Sequence, residues 1–153
     1  MESQIVSLTG ADTIVINGRL LTGLATGDVA DLTFPNELMK VKTGKNGNSI
    51  YALDATGKQA DLKVRLIRGS LDDKFLNSLL MRMEADPPSF ILLSASLLKR
   101  SGDGMGMSTQ DNYIVAGGVF TKKPGVKSNV EGDTDQAVVE YEIKFTNSKR
   151  AIF

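Results

Sequence analysis

Two stretches of this chain alternate so strictly that they admit little but β-strand. From Ala60 to Arg68, Leu62, Val64 and Leu66 share one face, while Asp61, Lys63 and Arg65 share the other. From Ala137 to Thr146, the residues Ala137, Val139, Tyr141, Ile143 and Phe145 point one way. Val138, Glu140, Glu142, Lys144 and Thr146 point the other. A period of two is the mark of a sheet with one buried face.

Weaker versions of the pattern fill most of the rest. Thr13 to Asn17 is short and β-branched, and Asn17-Gly18 is the dipeptide that tight hairpin turns prefer. Val29 to Phe34 alternates, with Ala30, Leu32 and Phe34 on one side, and Pro35-Asn36 ends it. Leu38 to Thr43 alternates again, which predicts Met39 and Val41 inward and Lys40 and Lys42 outward. Gly44-Lys45-Asn46-Gly47-Asn48 is a turn of residues that tolerate positive φ. Ser49 to Asp54 returns, and Ala55 to Lys58 turns once more. Phe90 to Lys99 reads as a strand with Ile91, Leu93, Ala95 and Leu97 on its apolar face. Ser101 to Gln110 reads as a glycine-rich loop. Tyr113 to Thr121 is a strand whose Gly117-Gly118 predicts a bulge or a close backbone approach. Lys122 to Gln136 is a long polar loop.

One helix is expected, after Ser70. That serine can cap it, and Asp72 and Asp73 fall in the first turn, where acids suit the positive end of the dipole. Phe75, Leu76, Leu79, Leu80 and Met83 form one apolar stripe, and Asp86-Pro87-Pro88 stops it. The expected fold is mainly β: two packed antiparallel sheets, as a sandwich or barrel, with one flanking helix. No linker and no repeat divides residues 1–153, so a single domain is expected.

Composition removes much of the catalytic repertoire. The chain has no Cys, which excludes disulfides, thiolate metal sites and thiol nucleophiles. It has no His, the commonest general base. Lys plus Arg number 18 and Asp plus Glu number 18, so net charge is zero. That balance argues against tight phosphate binding and favours association. The N-terminus has no basic start and apolar core of a signal peptide. The longest apolar run, Phe90 to Leu98, is too short to span a bilayer. A soluble protein made in a cytoplasm is expected.

The remaining motifs have bland readings. Gly102-Asp103-Gly104-Met105-Gly106 lacks the Gly-Lys-Ser/Thr ending of a phosphate loop and opens no helix. It reads as a flexible loop, and Met105 and Met107 fit one that packs against another subunit. Glu131-Gly132-Asp133-Thr134-Asp135 lacks the ligand spacing of a calcium loop. Glu140 and Glu142 lie roughly 7 Å apart on one strand face. Separation alone names neither an acid nor a base. No catalytic, cofactor-binding or metal-binding residue is assigned.

Other stretches carry a family resemblance. Thr22-Gly23-Leu24-Ala25-Thr26-Gly27-Asp28-Val29 is followed by Phe34-Pro35 and Lys42-Thr43-Gly44-Lys45-Asn46-Gly47-Asn48. Then come Leu66-Ile67-Arg68-Gly69-Ser70 and Asp72-Asp73-Lys74-Phe75-Leu76-Asn77. In order, spacing and total length the chain resembles the tail tube proteins of contractile-tailed bacteriophages, whose architecture is shared with type VI secretion and pyocin tubes. The resemblance implies six copies per ring, with rings stacked into a hollow tube that conducts the genome inside a contractile sheath. It implies as partners the chain itself, the sheath protein, the baseplate initiator and tail terminator, a tape measure protein in the lumen, and DNA in transit. It implies a place in the virion, no cofactor and no catalytic residue.

On that resemblance, subunit contacts are expected at Gly44, Lys45, Asn46, Gly47 and Asn48, and at Gly102, Asp103, Gly104, Met105, Gly106 and Met107. The N-terminal segment 1–12 and the loops 55–58, 101–110 and 122–136 are further candidates. Glu140 and Glu142 are expected at the lumen or a subunit seam. A secretion-system or phage-derived tube is the near alternative. A small β-barrel binding module is the distant one, weakened by an aromatic content of 6% with no Trp.

Overall fold

The computed structural model describes residues 5–6, 13–25, 29–126, 128, 130 and 134–152. Ten strands are seen among them: β1 (Ile5–Val6), β2 (Thr13–Ile16), β3 (Arg19–Leu20), β4 (Ala30–Thr33), β5 (Met39–Thr43), β6 (Ser49–Leu53), β7 (Ala60–Ile67), β8 (Leu93–Gly102), β9 (Ser108–Lys122) and β10 (Val138–Ile152). The helix α1 spans Leu71–Ala85 between β7 and β8. Eight strands form one antiparallel sheet in the order β3-β2-β8-β9-β10-β7-β4, with β1 on the far end of β8. The hairpin β5–β6 is the second sheet. The fold is therefore mainly β, with two antiparallel sheets and one helix.

The large sheet wraps around its buried face. After β3, the chain crosses to the other margin of the sheet within a few residues. There the Ile67 amide donates to the Gly23 carbonyl (2.8 Å) and the Ala25 amide to the Arg65 carbonyl (3.1 Å). At ~3.3–3.6 Å per extended residue, so short a link requires the two margins to lie close together. The enclosed core takes Ile14 and Ile16 from β2, Leu93 and Ala95 from β8, and Val115 and Phe120 from β9. It takes Val139, Tyr141, Ile143 and Phe145 from β10 and Leu62, Val64 and Leu66 from β7. Leu76, Leu79 and Leu80 of α1 join the same cluster. The burial of β7 alternates strictly, as its sequence dictates.

Local chemistry sets the boundaries. Asn17 (φ 50°) and Gly18 (φ 80°) make the turn between β2 and β3. Ser70 caps α1 by accepting from the Asp73 amide at 3.2 Å. The helix ends at Asp86, before the two prolines. Gly117 (φ 70°) marks a bulge where the β8–β9 register shifts between Leu93 and Ala95. Beside it, a Cβ on Gly118 would lie 2.5 Å from the Phe145 ring, so the close approach is also present.

Four expectations are corrected. Ser101–Gln110 is not a loop: Arg100, Ser101 and Gly102 pair with Gln110, Thr109 and Ser108, leaving only 103–107 as the turn. Their ladder overrides the weak strand preference of Gly and Ser. The strand expected from Phe90 starts at Leu93, because a 3-10 turn over Pro87–Ser89 delays it, and Ile91 is exposed. The last strand runs past Thr146 to Ile152, held by pairing of Asn147–Ile152 with β9, and Ala137, expected inward, is exposed in the 3-10 turn before it. Met39 and Val41 alternate with the lysines as predicted, yet they are exposed rather than inward, and no described residue covers them.

Candidate assembly surfaces

The β5–β6 hairpin is an exposed projection with an apolar face that no described residue covers. Its register pairs Met39 with Leu53 and Val41 with Tyr51, so these four side chains share one face. Lys40 with Ala52 and Lys42 with Ile50 form the other. All ten strand residues are exposed, Val41 at 59% and Tyr51 at 69%. A two-stranded hairpin is marginal alone in water, so its base has to be held.

The base is held by polar contacts. The Asn36 side-chain amide donates to the Thr56 carbonyl and to Gln59 Oε1, both at 3.1 Å. The Asp54 amide donates to the Leu38 carbonyl at 2.8 Å. The Asp54 carboxylate accepts from the Thr56 hydroxyl (2.8 Å) and amide (3.0 Å), which hold its pKa below the ordinary value. Gly57 is required because a Cβ there would lie 2.6 Å from Leu38 Cα. Ser148 of β10 donates to the Lys58 carbonyl at 2.8 Å and ties the base to the sheet.

The predicted contact residues Gly44, Lys45, Asn46, Gly47 and Asn48 form the tip of this hairpin. The Gly44 amide donates to the Asn48 carbonyl (2.8 Å) and the Gly47 amide to the Gly44 carbonyl (3.1 Å). All five are exposed.

Gly102, Asp103, Gly104, Met105, Gly106 and Met107 lie at the tip of a second projection. Here β8, β9 and β10 extend past the core as a three-stranded arm. Asp103 Oδ1 accepts from the amides of Met105 (2.7 Å) and Met107 (3.2 Å) and organises the turn. Met105 is 87% exposed. The arm is stiffened by Arg150, which donates twice to Asp111 at 2.9 Å and stacks over Tyr113. The hydrogen bonds and charge of Arg150 hold the Asp111 carboxyl below its ordinary pKa.

Glu140 and Glu142 lie on the polar face of the large sheet. Register aligns Asp31, Lys63, Glu142 and Lys122 in one row across β4, β7, β10 and β9. Glu142 meets Lys63 at 3.7 Å and Lys122 at 3.6 Å. Glu140 stands opposite Arg65. The row is electroneutral, and no pair of carboxylates is isolated in it as an acid and a base. The segments 1–4, 7–12 and 131–133 lie outside the described residues, so the acidic stretch from Glu131 and most of the N-terminal candidate segment have no place in this description.

Sequence reasoning places Asp72 in the first turn of α1 but misses that it is the one buried charged side chain among the described residues, at 1% exposure. Its carboxylate accepts from the Gly23 amide (2.6 Å), the Thr22 amide (2.7 Å) and Arg19 Nε (2.9 Å). It fastens the segment that joins the two sheet margins. Burial raises its pKa, but these hydrogen bonds and the charge of Arg19 outweigh that and hold it below the ordinary value. Nothing in the residues near Asp72 marks partners that lie about fifty positions away.

Among the described residues no group of His, Cys, Asp or Glu is arranged to hold a metal. No helix there is long and apolar enough to cross a membrane. Comparison of the chain with protein-family models and with curated proteins found no match.

Proposed function

We propose that this chain is a structural subunit that polymerises into a hollow tube, the tail tube of a contractile-tailed bacteriophage, and is not an enzyme. The observation that carries the reading is the β5–β6 hairpin, anchored at its base with a whole apolar face left in water. A contiguous exposed apolar patch marks an interaction site. A second copy supplies the cover in a self-assembling particle. Two further features support the reading. The distal end of β10 and the outer margin of β4 offer open strand edges, which neighbouring copies can consume. The polar sheet face, with its neutral charge rows, suits a channel wall that DNA crosses without being held, because affinity for DNA comes from neutralised phosphates.

In this reading Glu140 and Glu142 face the lumen or a seam, and the two projections contact neighbouring copies. The sheath, the tube initiator and terminator, a tape measure protein and DNA in transit are its partners, and the virion tail is its location. A tube from a secretion system or a phage-derived particle uses the same surfaces. Negative-stain microscopy of the purified protein tests the proposal. Hollow tubes or stacked rings are expected. A monodisperse monomer at all concentrations overturns it, as does a tube structure with Glu140 and Glu142 on the outer wall.

A further inference from the structure

We propose that Asn46, at the tip of the β5–β6 hairpin, is a site of spontaneous covalent modification. Its side-chain amide is lost to attack by the Gly47 nitrogen, while the fold protects the chain's other Asn-Gly pair, Asn17-Gly18. Water is the sole co-reactant, and the inference stands independently of the assembly proposal.

The chemistry is intramolecular. The Gly47 backbone nitrogen attacks Asn46 Cγ and a C–N bond forms. The bond from Cγ to the side-chain nitrogen breaks, and ammonia leaves with the proton that Gly47 gives up. The product is a succinimide ring. Water then adds to one of its two carbonyls and opens it, giving an aspartyl or an isoaspartyl residue. The step requires the side chain to swing into contact with the next nitrogen. A glycine after the asparagine removes the Cβ that would obstruct that approach.

The two pairs are alike in sequence and differ in setting. Asn17 is clamped: its Oδ1 accepts from the Ser94 amide at 2.9 Å, and its own amide donates to the Ser94 carbonyl at 2.8 Å. Turning its Cγ toward Gly18 breaks the first of these bonds. Its turn also closes on β2, which is paired along its length with β8. Asp103-Gly104 is clamped in the same way, since Asp103 Oδ1 accepts from the amides of Met105 and Met107. The Asn46 side chain makes no hydrogen bond among the described residues. Its turn is closed where the Gly47 amide donates to the Gly44 carbonyl at 3.1 Å. That bond lies at the end of a two-stranded hairpin whose strand residues are all exposed, where local opening costs least. A Cβ on Gly18 or on Gly47 would meet nothing within 4 Å, so crowding does not separate the pairs. The clamp on the side chain does.

The product changes the tip. A carboxylate replaces a neutral amide beside Lys45, and net charge goes from 0 to −1. The isoaspartyl route also adds a methylene to the main chain inside the turn that sets the β5–β6 register.

The test uses the folded, dispersed full chain held in mildly alkaline buffer, sampled over time and digested for peptide mass mapping. Isoaspartyl residues are counted by enzymatic methyl transfer. The Asn46 peptide should gain the mass of an amide-to-acid exchange at least about tenfold faster than the Asn17 peptide. In urea the clamp on Asn17 is gone, and the two rates should converge. Asn46→Gln, whose longer side chain closes a larger and slower ring, should remove the fast phase of ammonia release. Its φ is not in the left-handed region, so glutamine suits the same turn.

An Asn46 rate no greater than that of Asn17 in the folded chain overturns the proposal. So does fast ammonia release that persists in Asn46→Gln. A rate difference of the same size in urea overturns the protection of Asn17 by the fold. Because the rates are read on dispersed subunits, any of these results leaves the tube reading standing, and absence of tubes leaves the Asn46 site standing.

Discussion

Asp72 shows how one side chain can hold a margin of a sheet. Replacing it by Ala leaves the part-buried amides of Thr22 and Gly23 without their acceptor and Arg19 without its partner. The expected loss is about 3 kcal/mol, read as a lower urea midpoint. The pH dependence follows from the direction of its shift. Its pKa is depressed in the folded state relative to the ordinary 3.8, so the unfolded chain binds the proton more readily. Its contribution is full above that ordinary value and is lost as pH falls below it through the folded pKa. Asp72→Asn should be less stable than wild type at neutral pH and lose less on acidification below pH ~4, as followed by denaturation at a series of pH values. Tyr141 is pushed the other way. Burial, then its hydrogen bond to Asp73 and the charge of that carboxylate, raise its pKa, so it stays protonated as the donor that ties β10 to α1. Gly118→Ala tests packing without charge. The new methyl meets the buried Phe145 ring, and a loss of about 1–3 kcal/mol in thermal or urea denaturation is expected.

Elements differ in what they contribute to the folded subunit. The helix was readable from its cap, its first-turn acids, its apolar stripe and its prolines, because each of these acts within a few residues. The hairpin was readable as two strands and a turn for the same reason. Whether its apolar face was covered was not readable, since alternation reports that two faces differ and not what lies against either. Val41→Thr with Tyr51→Thr should therefore leave the melting temperature of the dispersed subunit within about 2 °C of wild type, because both side chains are already in water. The same pair should reduce assembly, measured by pelleting. The arm is legible only in part. Ser, Gly and Asp in residues 101–110 carry turn signals, and only pairing with β9 and β10 draws most of that stretch into strand.

The whole molecule separates its charges by position. Zero net charge is a property of the composition, but its balance within single rows of the sheet is a property of register. Reversing Glu140 and Glu142 to Lys changes the net charge from 0 to +4, two reversals of two units each, and breaks the row at Lys63 and Lys122. That variant should retain duplex DNA on a filter, with retention falling steeply between about 50 and 200 mM salt, while wild type should not retain it. The same distinction runs through the protein. By itself the sequence determined the strands with strict alternation, the capped helix, the Asn17-Gly18 turn and the lack of cysteine and histidine chemistry. Periodicity, capping and composition are local or additive, so one dimension contains them. Only the tertiary structure decided that Asp72 joins the two sheet margins, that no described residue covers the hairpin's apolar face and that a groove opens beside the end of α1. Those are facts about which distant surfaces meet, and a chain records them only when it folds.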